Sequence, residues 1–576
     1  MKQIEQIHQQ KHFFLLLFLF TSFSIITLRL VQLQVMQHKK FAQYGEKNFV
    51  RFKTIPAQRG NILDCNHQAL VTNQPVTNVV WQGTGKQALT EQQLTIIDTI
   101  NRILHITIPV KQIKHAERFS KSYVIAEKIS SQDLFYIAEQ CSDTHNVTFE
   151  TSYERYYPHK KLACHTIGYL SGGYLADTQT LMQGKMGLEK LFEDILKGEP
   201  GIHQQYINSF GTLLENKLVK HQSSGKDLVT TIDIRLQKIA ELAMKGQQSG
   251  ALIVLDPQTG RIPALVSLPN FDPTILSQKM STEQWQQLQQ TRPFINRAFN
   301  ASYPPASIFK LITIAAALEQ NLVDTESLFD CRGHVTFKKQ KYFCNKHSGH
   351  GLISLKESLA YSCNIPCYEI AKRMPIDTLA SYAFEFGLGN KTDALFAEQY
   401  GLVPTNEWKM VNKGERWWTG ETLSASIGQS FLLATPIQIA CMIGGIFHGY
   451  LVKPRILHNQ DTVQTPINVK PETREFLLDC MKSVITTGTG RRINKFLDIT
   501  IFAKTGTAQT IHRSKYKRSD GQNLHHAWFV SYFYTDTTQP LVLVILLEHV
   551  GSSRIATQVA KDFFAQYTKL LHTSNA

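Results

Sequence analysis

A serine and a lysine three positions apart, Ser307 and Lys310, stand at the head of the run Tyr303-Pro-Pro-Ala-Ser-Ile-Phe-Lys310. Pro304 and Pro305 suit a helix start, where a missing N–H leaves no bond unmade. The apolar residues from Ile308 to Leu318 predict a helix buried nearly all round. On such a helix the hydroxyl and the amine share a face about 5–6 Å apart between Cβ atoms. An amine there can take the hydroxyl proton, and the helix N-terminus favours developing negative charge, which together activate a serine as a nucleophile. The same spacing also describes a helix-start serine beside a snorkelling lysine. Ser223 and Lys226 repeat it in a Ser/Gly-rich stretch with no helical pattern.

Two further motifs decide between these readings. Ser362-Cys363-Asn364 falls in a break between helical stretches expected at 352–361 and 368–373. Its plain alternative is a helix end, where Ser and Asn bond locally. Lys504-Thr505-Gly506-Thr507 follows an expected strand over 499–503, and Gly506 without a Cβ lets a ligand approach the backbone. The order Ser-x-x-Lys, Ser-x-Asn, Lys-Thr-Gly resembles the penicillin-recognising serine acyltransferases.

The resemblance extends from about residue 50 nearly to the end. Arg59-Gly60, Ile62, Asp64, Arg155, Pro158, His165, Gly168-Tyr169 and Gly187-Leu-Glu189 resemble the non-catalytic pedestal of class B penicillin-binding proteins. Asp256-Pro257, Thr259-Gly260, Phe271-Asp-Pro273, Asn296-Arg-Ala298, Ser426-Ile-Gly-Gln429, Thr435-Pro436 and His526-Ala-Trp-Phe529 resemble their transpeptidase domain. The implied fold is α+β, with an N-terminal membrane helix, an elongated mixed α/β pedestal, and a C-terminal domain whose central antiparallel sheet is flanked by helices. The expected layout is a cytoplasmic tail over 1–12, a membrane helix over 13–33, a pedestal over 34–222 and a transpeptidase domain over 223–576. Three departures stand out. Cys65-Asn66-His67 replaces the usual Arg-Asn-Gly turn, Ala306 stands where the family has Gly, and Asp393–Glu398 diverges from Leu-Pro-Gly-Glu.

The resemblance also implies the chemistry: a D,D-transpeptidase of cell-wall elongation, with carboxypeptidase-type acyl transfer on peptidoglycan stem peptides and trapping by β-lactams. Ser307 would attack the penultimate D-alanine carbonyl, with Lys310 as base and Ser362 relaying a proton. Asn364 would bind the peptide backbone, Lys504 would supply a positive field, the Thr505 and Thr507 hydroxyls would receive the terminal carboxylate, and Gly506 would let the ligand approach the strand. The expected partners are a membrane glycan polymerase and the inner membrane. A β-lactam-hydrolysing or sensing relative, a non-catalytic scaffold and a division-type paralogue are the alternatives.

Cys331, Cys344, His350 and Cys363 supply donors that zinc prefers, though not at the short C-x-x-C interval. A structural Zn2+ there would grip the loop carrying Ser362 from behind; a Cys331–Cys344 disulfide or unpaired buried thiols are the rivals. Cys367 is a spare ligand, and His334 and His347 read as surface residues. The nine cysteines are otherwise too dispersed for a disulfide scaffold.

At 576 residues the chain predicts several domains, and 43% apolar with 19% charged residues is ordinary globular composition. A net charge of +15 suits polyanions. No nucleic-acid-binding signature accompanies it, so an anionic membrane or wall polymer is the expected partner and nucleic acid is not. Phe13 to Leu28 carry no charge and no cleavage site follows, which predicts an uncleaved anchor. Lys39, Lys40, Lys47, Arg51 and Lys53 outnumber Lys2 and Lys11, so the positive-inside rule alone opposes export of the remainder. Export is expected nonetheless, because the implied substrate lies outside.

Overall fold

The computed structural model describes all residues except 1, 41–48, 142–143, 145, 174–180, 208–212, 277–279, 395–396, 497, 510–524 and 575–576. Lys47, Leu395 and Phe396 of the sequence reading lie outside the described residues. A helix runs from Lys2 to Val31 and continues as a wider-pitched turn over Gln32–Met36. Its segment His12–Met36, 25 residues of mean hydropathy 2.2 and wholly unburied, is long and apolar enough to cross a bilayer.

The rest divides into two compact units that do not follow chain order. Residues 1–59, 73–154 and 197–225 form one, and residues 60–72, 155–196 and 226–576 the other. In the first, the strands Val50–Ile55, Gly201–Ile207 and Leu213–Lys220 make a three-stranded sheet. The helices Glu91–Leu104 and Ser131–Gln140 span the residues that their periodicity predicts. They bury Ile97, Ile100 and Ile137 with Val79 and Trp81. Buried Glu117 accepts from Trp81 Nε1 at 3.0 Å, Gln93 Nε2 at 3.1 Å, Asn146 Nδ2 at 3.2 Å and Thr84 Oγ1, so four side-chain donors satisfy the carboxylate.

The second unit is built on a five-stranded antiparallel sheet, ordered Ala264–Leu268, Gly250–Leu255, Leu541–Leu547, His526–Tyr534, Thr500–Ala508. Alternation along the strands sorts their side chains between two cores. Ala251, Ile253, Val544, Leu546, Trp528 and Val530 join the core of the buried helix Lys310–Glu319. Leu252, Val254, Leu543, Ile545, Phe529 and Phe533 pack with Phe563 and Phe564 of the C-terminal helix Ser553–Ser574. The strand Thr500–Ala508 is the last in the sheet order.

Local chemistry elsewhere in this unit follows the sequence. The turn after Asp64 places His67 at φ 61, so the left-handed residue is the histidine. The Asp64 carboxylate holds that turn by accepting from Asn66 N and Gln68 N, both at 2.8 Å. Arg155 Nε and Glu189 Oε1 form a buried ion pair at 2.7 Å, and Arg155 also donates to Gly60 O at 2.8 Å.

Three expectations are corrected. The stretch 352–361 is strand Gly351–Ser354 followed by helix Leu355–Ala360, because Ser354 and Glu357 form a reciprocal capping box that starts the helix there. The stretch expected at 368–373 is helix Ile365–Ala371, opened by Pro366 in its first turn. Lys504-Thr-Gly-Thr507 lies inside its strand, paired through Ala508↔His526, rather than after the strand end.

Candidate active site

Ser307 is half-buried on a one-turn 3-10 helix, Ala306–Ile308, and the α-helix begins only at Lys310. The tighter turn follows from Ala306, held at φ 51, a region that an L-residue enters at a cost of about 1–2 kcal/mol. The surroundings impose it. Ala306 N donates to Gly428 O at 2.9 Å, and Trp528 Nε1 donates to Pro304 O at 3.0 Å. Gly428, at φ 73, leaves no room for a Cβ, which would stand 2.1 Å from Ala306 O.

The second motif lies where helix Leu355–Ala360 has ended. Ser362 sits at φ 58, and Cys363 N donates back to Ser358 O at 2.8 Å. This is a folded-back turn. Cys363 faces away from Lys310 into the thiol cluster described below. The Lys310 amine donates to Asn364 Oδ1 at 2.6 Å, Ser362 O at 2.8 Å and Cys363 O at 3.2 Å, and meets Ser362 Oγ at 3.4 Å.

The third motif arrives from the sheet edge. Lys504 pairs with Val530, a residue of the Lys310-helix core, so strand alternation turns its side chain towards that helix. Lys504 Nζ donates to Ser362 Oγ at 3.1 Å and Thr505 O at 3.1 Å. Two residues on, a Cβ at Gly506 would lie 3.3 Å from Trp528 Cβ, 3.4 Å from Pro305 O and 3.5 Å from Ile308 Cγ1. Glycine therefore lets this strand close against the segment that carries Ser307. Asn364 Nδ2 donates to Phe343 O at 2.9 Å, which fixes the amide with its oxygen towards Lys310.

Both amines are wholly buried. Burial pushes the Lys310 ammonium below its ordinary range. Lys504 is pushed well below, by burial first and by the charge of Lys310 next. Two ammonium charges sharing one hydroxyl repel each other, which opposes full protonation of the pair. Of the two, Lys310 has the better setting for the proton, because two carbonyls and an amide oxygen face it.

Thr505 Oγ1 shares a 2.7 Å hydrogen bond with Thr489 Oγ1, and Thr507 Oγ1 accepts from Ser553 N at 3.3 Å. Thr489 was missed in the sequence, and its signal is the turn Thr487-Gly-Thr-Gly490 after helix Pro471–Thr486. Also missed was Glu548, which pairs with buried Arg297 at 3.1 Å and accepts from Tyr303 Oη at 2.6 Å, so tying the segment before Ser307 to the sheet. A glutamate just past a hydrophobic strand carries no motif by itself. Ser223 and Lys226 lie outside any helix.

Behind the second motif, Cys331, Cys344, His350 and Cys363 converge, with all ligand atoms within 4.8 Å of one another. His350 Nδ1 is 3.4 Å from Cys331 Sγ and 3.5 Å from Cys344 Sγ, and Cys344 Sγ is 3.6 Å from Cys363 Sγ. Tetrahedral zinc with its usual bond lengths needs ligand separations of about 3.6–3.8 Å, so the donor set fits the ion. The hydrogen bond between Cys344 and Cys363 draws the Cys344 thiol well below its ordinary pKa and pushes Cys363 up. All nine cysteines, Cys331 and Cys344 among them, are free in the structure. Cys367 is buried outside the group, His347 is exposed and His334 half-buried.

Known proteins agree with this architecture. The penicillin-binding protein transpeptidase domain family matches residues 250–565, and the penicillin-binding protein dimerisation domain family matches 54–230. Peptidoglycan D,D-transpeptidase MrdA of Acinetobacter baumannii is 30% identical, over 98% of this chain and 88% of that protein. Its Escherichia coli K12 namesake is 27% identical over 84% and 82%. The solved complex between penicillin-binding protein PBP2 and MreC from Helicobacter pylori superposes with TM-score 0.76 at 25% identity, over 91% of this chain and 99% of that one. A chain from a peptidoglycan synthase complex coordinating polymerisation and crosslinking gives 0.73 at 28%, over 96% and 97%. Matched along nearly its whole length in sequence and in fold, the chain belongs to the class B penicillin-binding proteins of the PBP2 type, the serine D,D-transpeptidases of peptidoglycan elongation.

Proposed function

We propose that Ser307 is the acylated nucleophile and that Lys310, Ser362 and Lys504 form one proton circuit around it. The observation that carries this is the Ser362 hydroxyl, placed 3.4 Å from Lys310 Nζ and 3.1 Å from Lys504 Nζ. The resting proton sits on Lys310. A substrate carboxylate arriving at Thr505 and Thr507 favours a cation at Lys504, and Ser362 passes the proton across. Lys310, now neutral, accepts the Ser307 proton as Oγ attacks the D-alanyl carbonyl. The proton then leaves with the terminal D-alanine amine. Backbone N–H groups of Ser307 and Thr507 face the oxyanion, and Asn364 aligns the donor peptide. β-Lactams acylate the same oxygen.

The test uses the full-length protein in detergent with a D-Ala-D-Ala donor and an amine acceptor. Ser307→Ala abolishes product, whereas a non-catalytic scaffold would still sustain growth when Ser307→Ala replaces the wild-type gene.

Zinc held by Cys331, Cys344, His350 and Cys363 would cross-link the small strands Leu328–Cys331, Gln340–Phe343 and Gly351–Ser354 to the Ser362 turn. One zinc per purified chain, lost in Cys344→Ser with a fall in thermal stability, is the expected result; a metal-free native protein contradicts it. The membrane helix anchors the chain with residues beyond it in the periplasm, a reading supported by the extracytoplasmic location of stem peptides and tested by protease access in spheroplasts. An MreC-like protein and a glycan polymerase are the proposed partners, supported by the assemblies in which the structural relatives are found.

A further inference from the structure

Two thiols meet directly behind the Ser362 turn. Cys344 Sγ lies 3.6 Å from Cys363 Sγ, and both residues are buried. Cys363 is flanked by Ser362 and Asn364, and all three residues hold the Lys310 amine. Their acceptors are Asn364 Oδ1 at 2.6 Å, Ser362 O at 2.8 Å and Cys363 O at 3.2 Å. Cys344 follows the strand Gln340–Phe343, and its N–H donates to Gly333 O at 2.8 Å. The next residue joins that strand to the turn, since Asn345 Nδ2 donates to Tyr361 O at 3.1 Å.

A small polar reagent has a short route to this pair. A cleft of about 630 Å³ is lined by Asn345, His350 and Tyr361, among others. Two of these touch the first sulfur: Asn345 Oδ1 accepts from Cys344 Sγ at 3.1 Å, and His350 Nδ1 stands 3.5 Å from it. His350 is only half-buried, so the space beside Cys344 Sγ communicates with the cleft.

We propose that Cys344 and Cys363 are a site of oxidative modification, where a peroxide forms a disulfide that disarms the Ser362 motif and a thiol reductant restores it. The inference rests on the reading of Ser307 as the acylated residue with Ser362 and Asn364 serving it. The Cys344 sulfur attacks a peroxide oxygen, the O–O bond breaks and water leaves, giving a sulfenic acid. The Cys363 sulfur then attacks that sulfur, the S–O bond breaks and a second water leaves. Both thiol protons end in the waters, each sulfur gives up one electron and each peroxide oxygen gains one. A disulfide needs its sulfurs at about 2.05 Å, so this pair must close by about 1.5 Å. Ser362 already stands at the strained φ of 58, which makes the turn the element least able to hold its place. Planar peptide units carry the movement of Cys363 into Ser362 and Asn364 on either side. A displacement of about 1 Å in a positioning group costs on the order of a hundred-fold in rate. Zinc and this disulfide exclude each other, because both use the same two sulfurs.

The test treats full-length protein with hydrogen peroxide, maps its cysteines by mass spectrometry after alkylation, and follows acylation by a fluorescent penicillin on the same samples. The expected map links the peptide of Cys344 to that of Cys363. Acylation of that material is about ten- to a hundred-fold slower and recovers on adding dithiothreitol. In zinc-loaded protein a chelating dye reads metal leaving in step with the linkage, a signal independent of activity. Cys344→Ser, whatever its starting rate, shows no fall that peroxide induces and dithiothreitol reverses; the wild-type map decides the matter if that variant does not fold. No linkage in folded wild type, a linkage to Cys331 instead, metal retained as the linkage forms, or a linkage that leaves acylation unchanged overturns the assignment. Wild type that forms no acyl-enzyme before oxidation instead removes the Ser307 reading on which it rests.

Discussion

Substitution of Ser362 separates a proton-relay role from a structural one. Ser362→Ala deletes the Oγ contacts to Lys504 at 3.1 Å and Lys310 at 3.4 Å, and keeps the backbone bond from Lys310 to Ser362 O. Hydrogen bonds to charged groups contribute about 1.5–3 kcal/mol each, and the longer contact contributes less, so the combined loss is about 3 kcal/mol. If that interaction serves the transition state, acylation slows about a hundred-fold. Ser362 also sits at φ 58, where an alanine keeps the strain and a glycine relieves about 1 kcal/mol of it. Ser362→Gly should therefore acylate as slowly as Ser362→Ala while melting at a higher temperature. Stopped-flow acylation by a fluorescent penicillin, with melting curves on the same preparations, measures both quantities. An alanine variant within about three-fold of wild type, or a glycine variant that recovers the rate, would refute the relay; a rate that tracks stability rather than the hydroxyl would do the same.

Three other perturbations have definite outcomes. Gly428→Ala forces a Cβ to within 2.1 Å of Ala306 O at a left-handed φ of 73, and should cost at least about 2 kcal/mol in denaturant unfolding and slow acylation by displacing the Ser307 turn. Glu189→Ala strands buried Arg155 and should cost about 3–5 kcal/mol, whereas the double change Arg155→Met/Glu189→Leu should recover most of it. His165 is buried against Pro293 O, and its pKa is lowered from 6.5 to about 4 by desolvation, so the unfolded chain binds the extra proton in that interval. Stability should therefore fall as pH drops from 6.5 towards 4, by about 1.4 kcal/mol per unit relative to a His165→Gln variant; equal pH slopes in the two proteins would contradict this.

Much of the site was legible because its chemistry is written in short motifs. Ser-x-x-Lys, Ser-x-Asn and Lys-Thr-Gly each fix two or three side chains locally, and the sheet and the buried helix then bring them together. The four side chains proposed to hold zinc from the sequence, Cys331, Cys344, His350 and Cys363, are the four that converge. Backbone detail was less accessible. The 3-10 turn at Ser307 depends on Gly428 and Trp528, which lie far along the chain, and no local pattern reports them. The helix start at Leu355 was decided by a capping box that apolar periodicity hides. The division of the chain was hidden for a similar reason. Segments 60–72 and 155–196 belong with residues 226–576 through pairs such as His165–Pro293 and Asp64–Ile234, which only the folded contacts reveal. Thr489 and Glu548 support the site through tertiary bonds from positions without a motif.

The decisive measurement is intact-protein and peptide mass spectrometry after exposure of the full-length protein to a β-lactam. A single adduct of one drug mass on the peptide carrying Ser307, absent in Ser307→Ala and formed at least tenfold more slowly in Lys310→Met, is the predicted result. An adduct on any other residue, or none on folded protein, would contradict the account.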